Sequence, residues 1–304
     1  MGTPEISIII CTYNREQYLP EALQSLVEQD FDKDMFETIV VNNNSKDSTE
    51  KVCLDFIAAH PECRIFYYNE TIQGSSPARN KGAKHAQGSL LIFMDDDAVA
   101  EKDFLKNAWK FYSAHPDIHG FGGRIIPRYI PAKPGWMSHY VSALVGNFDY
   151  APSEMEFSAT KYPLESNMAV TKKAFDEIGG FNIALPGVKG TLRITGEGKD
   201  FYFRLKEKGH RVFYLPDMVV HHVVEVSRLT NEYLYRVASG IGRGERSRIT
   251  SEGSKGYNKK LAEYIFKFGA SLLIGLFYVI SFRPQKAWPV IQFRIDAIKG
   301  LTGR

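Results

Sequence analysis

Three consecutive carboxylates, Asp95, Asp96 and Asp97, close the apolar run Ser89–Met94. Charges this close repel and perturb one another's proton affinity unless a cation or a set of amide donors offsets them. A divalent ion is one such offset: hard oxygen ligands favour Mn2+ or Mg2+, and these ions bridge phosphate oxygens in nucleotide sites. An acidic surface turn is the competing reading of the same three residues. Two further polar segments share the placement. Thr12-Tyr13-Asn14-Arg15 follows the apolar run Ile6–Cys11, and Asn42–Asn44 follows Phe36–Val41. In open α/β sheets ligands collect beyond the carboxyl ends of the strands, so the three segments are expected to converge on one crevice.

The elements that must position them follow from periodicity. Ile6–Cys11 is β-branched and nearly all apolar, the pattern of a strand buried on both faces. Leu19, Leu23, Leu26 and Val27 recur at helical spacing and mark a helix over 19–29. Strands at 36–41 and 63–69 alternate with a helix at 49–60, and a helix at 77–86 leads into the strand at 89–94. This β-α-β-α-β order predicts a doubly wound sheet. Farther on, a strand is expected at 119–126, an irregular loop rich in Pro, Tyr and Trp at 127–157, helices at 171–178 and 199–207, and a strand at 211–214. Aromatic residues of that loop, among them Trp136, Tyr140 and Phe148, are candidates for stacking on a sugar.

Composition is that of a folded protein, with 44% hydrophobic and 24% charged residues in 304. Cys11, Cys53 and Cys63 show neither a disulfide framework nor zinc spacing, and the N-terminus lacks the features of a secretory signal. Charge is uneven: residues 241–304 hold 12 Lys/Arg against 4 Asp/Glu, although the chain as a whole carries only +3. A basic block beside apolar sequence fits an anionic membrane surface, whereas no nucleic-acid motif accompanies it. The most apolar stretch is 264–282. Its uncharged core, Phe268–Phe282, is 15 residues long, short of the roughly 20 that cross a hydrocarbon core. With Lys255, Lys259, Lys260 and Lys267 before it and Arg283, Lys286 and Arg294 after it, the stretch reads as an interfacial or partly inserted helical hairpin. A full span and a buried capping helix are the alternatives. The Gly-x-Gly-x-Gly of 240–244 has no strand before it, too weak a signal for dinucleotide binding, and is expected to be a flexible basic lid or a lipid-facing loop.

The Cys-Thr-Tyr-Asn-Arg loop, the Val-Val-Asn-Asn-Asn-Ser-Lys-Asp-Ser-Thr segment and the Phe-Met-Asp-Asp-Asp strand end occur in one order, and in this the chain resembles glycosyltransferase family 2 over roughly residues 5–230. The resemblance implies an α/β GT-A fold with a Rossmann-like, doubly wound, mixed and mainly parallel sheet. It assigns residues 1–230 to a catalytic domain, with a nucleotide-binding half to about residue 100 and an acceptor half beyond, and leaves 231–304 as a C-terminal helical membrane-associating segment. Thr12, Tyr13 and Arg15 match the loop that lines the nucleobase and ribose pocket. Asn42 and Asn43 stand where the family usually has an aspartate. Asp47 fits the same segment. Arg79, within an Ala-Arg-Asn-x-Gly stretch, matches a residue that contacts base or diphosphate with a bidentate guanidinium. Asp95 and Asp96 fall to the nucleotide, Asp97 to the metal.

The second half supplies the acceptor side of the same resemblance. Glu165-Ser166-Asn167-Met168-Ala169 is similar to a stretch near sugar and acceptor, which makes Asn167 and Met168 candidates there. Gly196-Glu197-Gly198-Lys199-Asp200 looks like a Gly-Glu-Asp-x-Asp segment whose second acid takes the acceptor proton, and that slot here holds Gly198. Glu197 is the first candidate for the base, Asp200 the second. His222, with His221 beside it at the end of the Pro216–Val220 run, is a candidate for the metal or the diphosphate. Taken together these imply an inverting transfer from a UDP-sugar, or another nucleoside diphosphate sugar, to a glycan or lipid-linked hydroxyl, with Mn2+ or Mg2+, on the cytoplasmic face of the cell membrane. The competing functions are nucleotidyl transfer, against which the loop after the first strand is not glycine-rich, and an inactive sugar-nucleotide-binding protein.

Overall fold

The computed structural model describes residues 2–185, 187–189, 192–194, 196–251 and 256–303. In chain order the elements are β1 (Ile6–Thr12), α1 (Leu19–Val27), β2 (Phe36–Asn42), α2 (Thr49–Ala59), β3 (Ile65–Asn69), α3 (Ser75–His85), β4 (Leu90–Asp95), β5 (Ala98–Ala100), α4 (Phe104–Ala114) and β6 (Gly120–Tyr129). There follow α5 (His139–Ser142), β7 (Met155–Glu156), β8 (Asn167–Thr171), α6 (Lys172–Glu177), β9 (Gly187–Lys189), β10 (Leu192–Ile194), α7 (Glu197–Glu207), β11 (Val212–Val224), α8 (Asn231–Ser251), α9 (Tyr257–Ile280) and α10 (Ala287–Thr302). Two compact units emerge, one of residues 1–126, 148–186 and 197–223, the other of 127–147, 187–196 and 224–304.

Nine strands form the main sheet in the order β3-β2-β1-β4-β8-β6-β11-β5, with β7 on β11. β3, β2, β1 and β4 run parallel, and β8 joins β4 antiparallel. The parallel strands read as unbroken apolar runs because both faces are covered. Side chains alternate across a strand, so Ile6, Ile8 and Ile10 of β1 pack with Leu19, Leu23 and Leu26 of α1 and Phe104 and Leu105 of α4. Ile9 faces the opposite way, into a cluster with Ala78 of α3, Phe175 of α6 and Phe201 and Tyr202 of α7. Close approach of α3 to the sheet depends on Gly82, where a Cβ would stand 2.4 Å from Ile9 Cγ2.

The expected elements of the first hundred residues all form, with ends displaced by up to two residues. Three elements were not anticipated: α4, β5 and β8. The strand expected at 211–214 is the start of the 13-residue β11, which absorbs the Met218–Val220 run. Within 127–157, Phe148 and Tyr150 are committed to an aromatic cluster with Phe157 and Tyr214, so their faces are filled by protein.

In the second unit, α8, α9 and α10 pack on one another. The glycines of 240–244 lie inside α8, which corrects the expectation of a lid or loop. Their reason is packing: a Cβ on Gly242 would stand 2.1 Å from Ala297 O, and one on Gly300 of α10 would stand 2.0 Å from Ser239 O. α9 is long and apolar enough to cross a membrane by length and composition. Its buried residues are Tyr264, Ser271 and Gly275, while Ile265, Phe266, Leu272, Leu273, Leu276 and Phe277 are exposed.

Candidate active site

The ends of β1, β2 and β4 meet as expected, and the chain turns between them determine what each polar group can do. β1 ends in the buried Thr12, whose carbonyl accepts the N–H of Asn43 at 2.8 Å. Asn14 turns into the left-handed region (φ 53°) and joins the neighbouring loop through Ser45 and Lys46. Tyr13 is half-buried beside it. Arg15 then points back to the strand ends, with Nε 3.8 Å from Asp96 and a terminal nitrogen 3.9 Å from Asp97.

Asn42 and Asn43 explain why amides stand there. Asn42 donates to the Tyr67 hydroxyl at 2.9 Å and accepts the Ser45 N–H at 3.0 Å. Asn43 donates to the carbonyls of Glu70 (3.1 Å) and Ile72 (2.8 Å) and accepts the N–H of Gly74 at 2.7 Å. A carboxylate accepts only, so aspartate cannot make the two donor bonds. Asn43 thereby shapes the turn into α3, whose Gly74 adopts φ 143°, a conformation natural to glycine. Asp47 caps locally, accepting from Thr49, and its carboxyl is held below the usual range by those hydrogen bonds against the opposing effect of partial burial.

Arg79 projects from α3 into the middle of the acids. It is 7% exposed, lies over the Phe181 ring, and stands 3.8 Å from Asp95 and 3.5 Å from Glu197. Burial opposes its charge, but Glu165, Glu197 and Asp95 outweigh that and raise its proton affinity. Asn80 next to it clamps Phe181 reciprocally, donating to its carbonyl and accepting its N–H, both at 2.8 Å.

On the other side of Asp95 the acids gather around a histidine. Asp97 Oδ1 lies 3.2 Å from His222 Nε2, brought there because β11 pairs with β5 so that His222 faces Ala98. One ligand atom from each of Asp95, Asp97 and His222 falls within 4.8 Å of the others. Asp96 is enclosed; burial, then the charge of Asp97, pushes its carboxyl up to about 7. Around Arg79 and Arg15 stand five carboxylates, those of Asp95, Asp96, Asp97, Glu165 and Glu197. This excess of negative charge, with two carboxylates and an imidazole in reach of one point, fits a divalent cation. His221, its neighbour, turns away to Glu101 at 2.9 Å.

The remaining candidates divide. Glu197 opens α7, is 7% exposed, and accepts from Ser75 at 3.0 Å. Asp200, one turn on, accepts from Arg204 at 2.8 Å, and Arg204 in turn donates to the carbonyls of Ile178 and Gly180. Asn167 and Met168 lie in β8 with no exposed surface. Asn167 ties three strands, donating to Arg124 O at 2.9 Å and Met218 O at 2.8 Å, and Met168 belongs to the core. Two participants were not singled out from the sequence. Ser166 donates to Asp95 at 2.5 Å, and Glu165 accepts the N–H of Gly198 at 2.9 Å. A glycine in the first turn of a helix was the available signal for a close neighbour there.

Comparison with known proteins agrees with this geometry. A family model described as Glycosyl transferase family 2 matches residues 7–179. The dolichyl N-acetyl-alpha-D-glucosaminyl phosphate 3-beta-D-2,3-diacetamido-2,3-dideoxy-beta-D-glucuronosyltransferase of Methanococcus voltae is 33% identical over 271 residues, covering 87% of this chain and 78% of its own length. The glucosyl-dolichyl phosphate glucuronosyltransferase of Haloferax volcanii is 28% identical over 249 residues, 81% of this chain and 77% of its own. Among solved structures, the mannosyltransferase PcManGT of Pyrobaculum calidifontis, in complex with GDP-Man and Mn2+, superposes with a TM-score of 0.67 at 20% identity over 100% of this chain and 89% of its own. That likeness establishes the GT-A fold. Since the matched segment runs from β1 through β8 and includes Asp95, Asp97 and Arg79, the chain belongs to glycosyl transferase family 2 and is a glycosyltransferase.

Proposed function

We propose that this enzyme moves a sugar, with inversion, from a UDP-sugar or another nucleoside diphosphate sugar to a hydroxyl of a lipid-linked or polysaccharide acceptor in cell-surface glycan synthesis. The observation that carries the reading is the meeting of Asp95, Asp97 and His222 beside the buried Arg79. Two relatives named for dolichyl-linked sugars support a lipid-linked acceptor.

In this reading Asp97 and His222, with Asp95, hold the cation, and the imidazole in the set favours Mn2+ over Mg2+. A bound divalent ion supplies neutralisation of the charge that develops on the departing diphosphate. Thr12, Tyr13, Arg15, Arg79, Asp95 and Asp96 border the nucleotide, while Asn42 and Asn43 shape the loop beside it. Asn167 and Met168 act from beneath the acceptor side by fixing Ser166 and the strands around it. The acceptor oxygen bonds to the anomeric carbon, the C–O bond to the diphosphate breaks, and a carboxylate beside Arg79 takes the proton. Glu197 is the first candidate for that carboxylate, because Asp200 is held by Arg204.

The catalytic part is residues 1–230, and 231–304 meets the cytoplasmic face of the cell membrane. The uncharged part of α9, Phe268–Ile280, is about 20 Å long at 1.5 Å per residue, too short for a core of about 30 Å; an in-plane or partly inserted helix accommodates it. The basic flank is thinner than its count implies. Lys260 and Lys267 pair with Glu263, Arg294 lies over the Phe293 ring, and Lys255 falls outside the described residues. Lys259 and Arg283 are exposed.

The test is a screen of nucleotide sugars for release of nucleoside diphosphate by the purified protein, with Mn2+ and a polyprenyl-phosphate-linked saccharide in detergent. Release stimulated by the acceptor and abolished by chelation is expected. Silence with every donor would defeat the reading.

A further inference from the structure

Gly198 lies in the first turn of α7, where helix propensity disfavours glycine. Space explains it. A Cβ on residue 198 would stand 2.3 Å from Glu165 Oε1, 2.5 Å from its Cδ and 2.8 Å from its Cγ. The same Oε1 accepts the Gly198 N–H at 2.9 Å. The Glu165 carboxylate thus fills the volume in which any side chain at 198 would begin. Ser166, the next residue, donates to Asp95 at 2.5 Å, so one dipeptide links the amino end of α7 to an acid of the cation cluster.

The groups facing Glu165 are Glu197 and Tyr202 from α7, Arg79 from α3 and Asp95 from β4. Desolvation, and after it the charge of Glu197, raises the proton affinity of Glu165 above the ordinary glutamate range, with Arg79 opposing. That direction strengthens a carboxylate as a base near neutral pH. Glu197 has a different occupation: its Oε1 accepts from Ser75 and faces Arg79. Glu165 is half-buried, so solvent and substrate have access to it.

We propose that Glu165 is a catalytic residue, the base of the transfer. Its carboxylate takes the proton of the acceptor hydroxyl as that oxygen bonds to the anomeric carbon, and the nucleoside diphosphate leaves with the electron pair of the broken C–O bond. Glu197 keeps Arg79 in position. The inference rests on the transfer reading above and moves the proton from Glu197 to its neighbour.

The decisive variant is Glu165→Gln, which retains an oxygen for the Gly198 N–H. Its kcat is expected to fall by about 10²–10⁴-fold, while calorimetric affinity for nucleoside diphosphate with Mn2+ changes by less than about threefold. The acidic limb of the wild-type pH profile, where activity rises as the base loses its proton, disappears. A double exchange, Glu165→Gly with Gly198→Asp, returns a carboxylate to the vacated volume and is expected to recover about tenfold or more over Glu165→Gln. If Glu165→Gln keeps wild-type turnover and Glu197→Gln loses it, the inference is overturned and the transfer reading stands. A loss of nucleotide affinity in Glu165→Gln that matches its loss of turnover also overturns it, as a structural role. A wild-type protein that releases nucleoside diphosphate from no donor overturns both.

Discussion

The two units break the usual partition of side chains in opposite directions. In the first, charged groups are taken out of water: Asp96, Asp97, Arg79, Glu197 and His222 are each less than a tenth exposed. In the second, large apolar groups are left in it, with Leu273 71% and Phe277 63% exposed on α9. Buried charge and exposed apolar surface are the informative departures in a folded protein. Neither stabilises the chain by itself. In the proposed function each waits for something of its own chemistry, a cation with a diphosphate in one case and a lipid surface in the other.

Removing one acid from the first unit tests this most strongly. Asp97→Ala is expected to cut Mn2+-dependent turnover by about 10³-fold or more, since a cation at a developing phosphate charge contributes several kcal/mol. The thermal midpoint of the metal-free protein should hold or rise, because one of several mutually repelling charges has gone. Turnover near wild type would detach the acid cluster from the chemistry.

The complementary change belongs to the second unit. Leu273→Gln with Phe277→Gln alters exposed positions only, so stability should be unaffected. Burying each side chain in a bilayer is worth about 1.5–3 kcal/mol, so partition onto anionic vesicles in flotation assays is expected to weaken by about 10²-fold. Unchanged flotation would return α9 to a solvent-facing role.

A smaller effect separates shaping from binding within the first unit. Asn43→Asp is nearly isosteric but replaces two donor bonds, to Glu70 O and Ile72 O, by a charge facing carbonyls. An unsatisfied buried group costs about 1–3 kcal/mol, so denaturant unfolding should show a loss of about 2 kcal/mol. A neutral result would mean that the amide is there for the nucleotide.

What could be read from residues alone follows the range of the interactions. The strand-end acids were visible because three of them are consecutive, and β1 to β4 because both faces are covered and the apolar runs are unbroken. β8 was hidden inside a polar-flanked motif, since Asn167 is a strand residue whose amide is satisfied by Arg124 and Met218, far away in sequence. The glycines of α8 looked like a loop because glycine is poor in helices; only contact with α10 accounts for them. Glu165 escaped for the same reason. Its partner is the missing side chain of Gly198, 33 residues on.

The least change is expected at Asp200, and that is what makes it useful. Its carboxylate is already spent on Arg204, which holds the carbonyls of Ile178 and Gly180 and so the turn after α6. In Asp200→Asn the amide oxygen can still accept from Arg204, and loss of one partly exposed ion pair within a helix costs well under about 1 kcal/mol. Turnover should therefore stay within about tenfold of wild type, the margin a displaced loop allows. A proton acceptor removed at this position would instead cost about 10²–10⁴-fold. A deep loss of kcat with Arg204 still in place would transfer the base from the acids around Arg79 to the outer turn of α7.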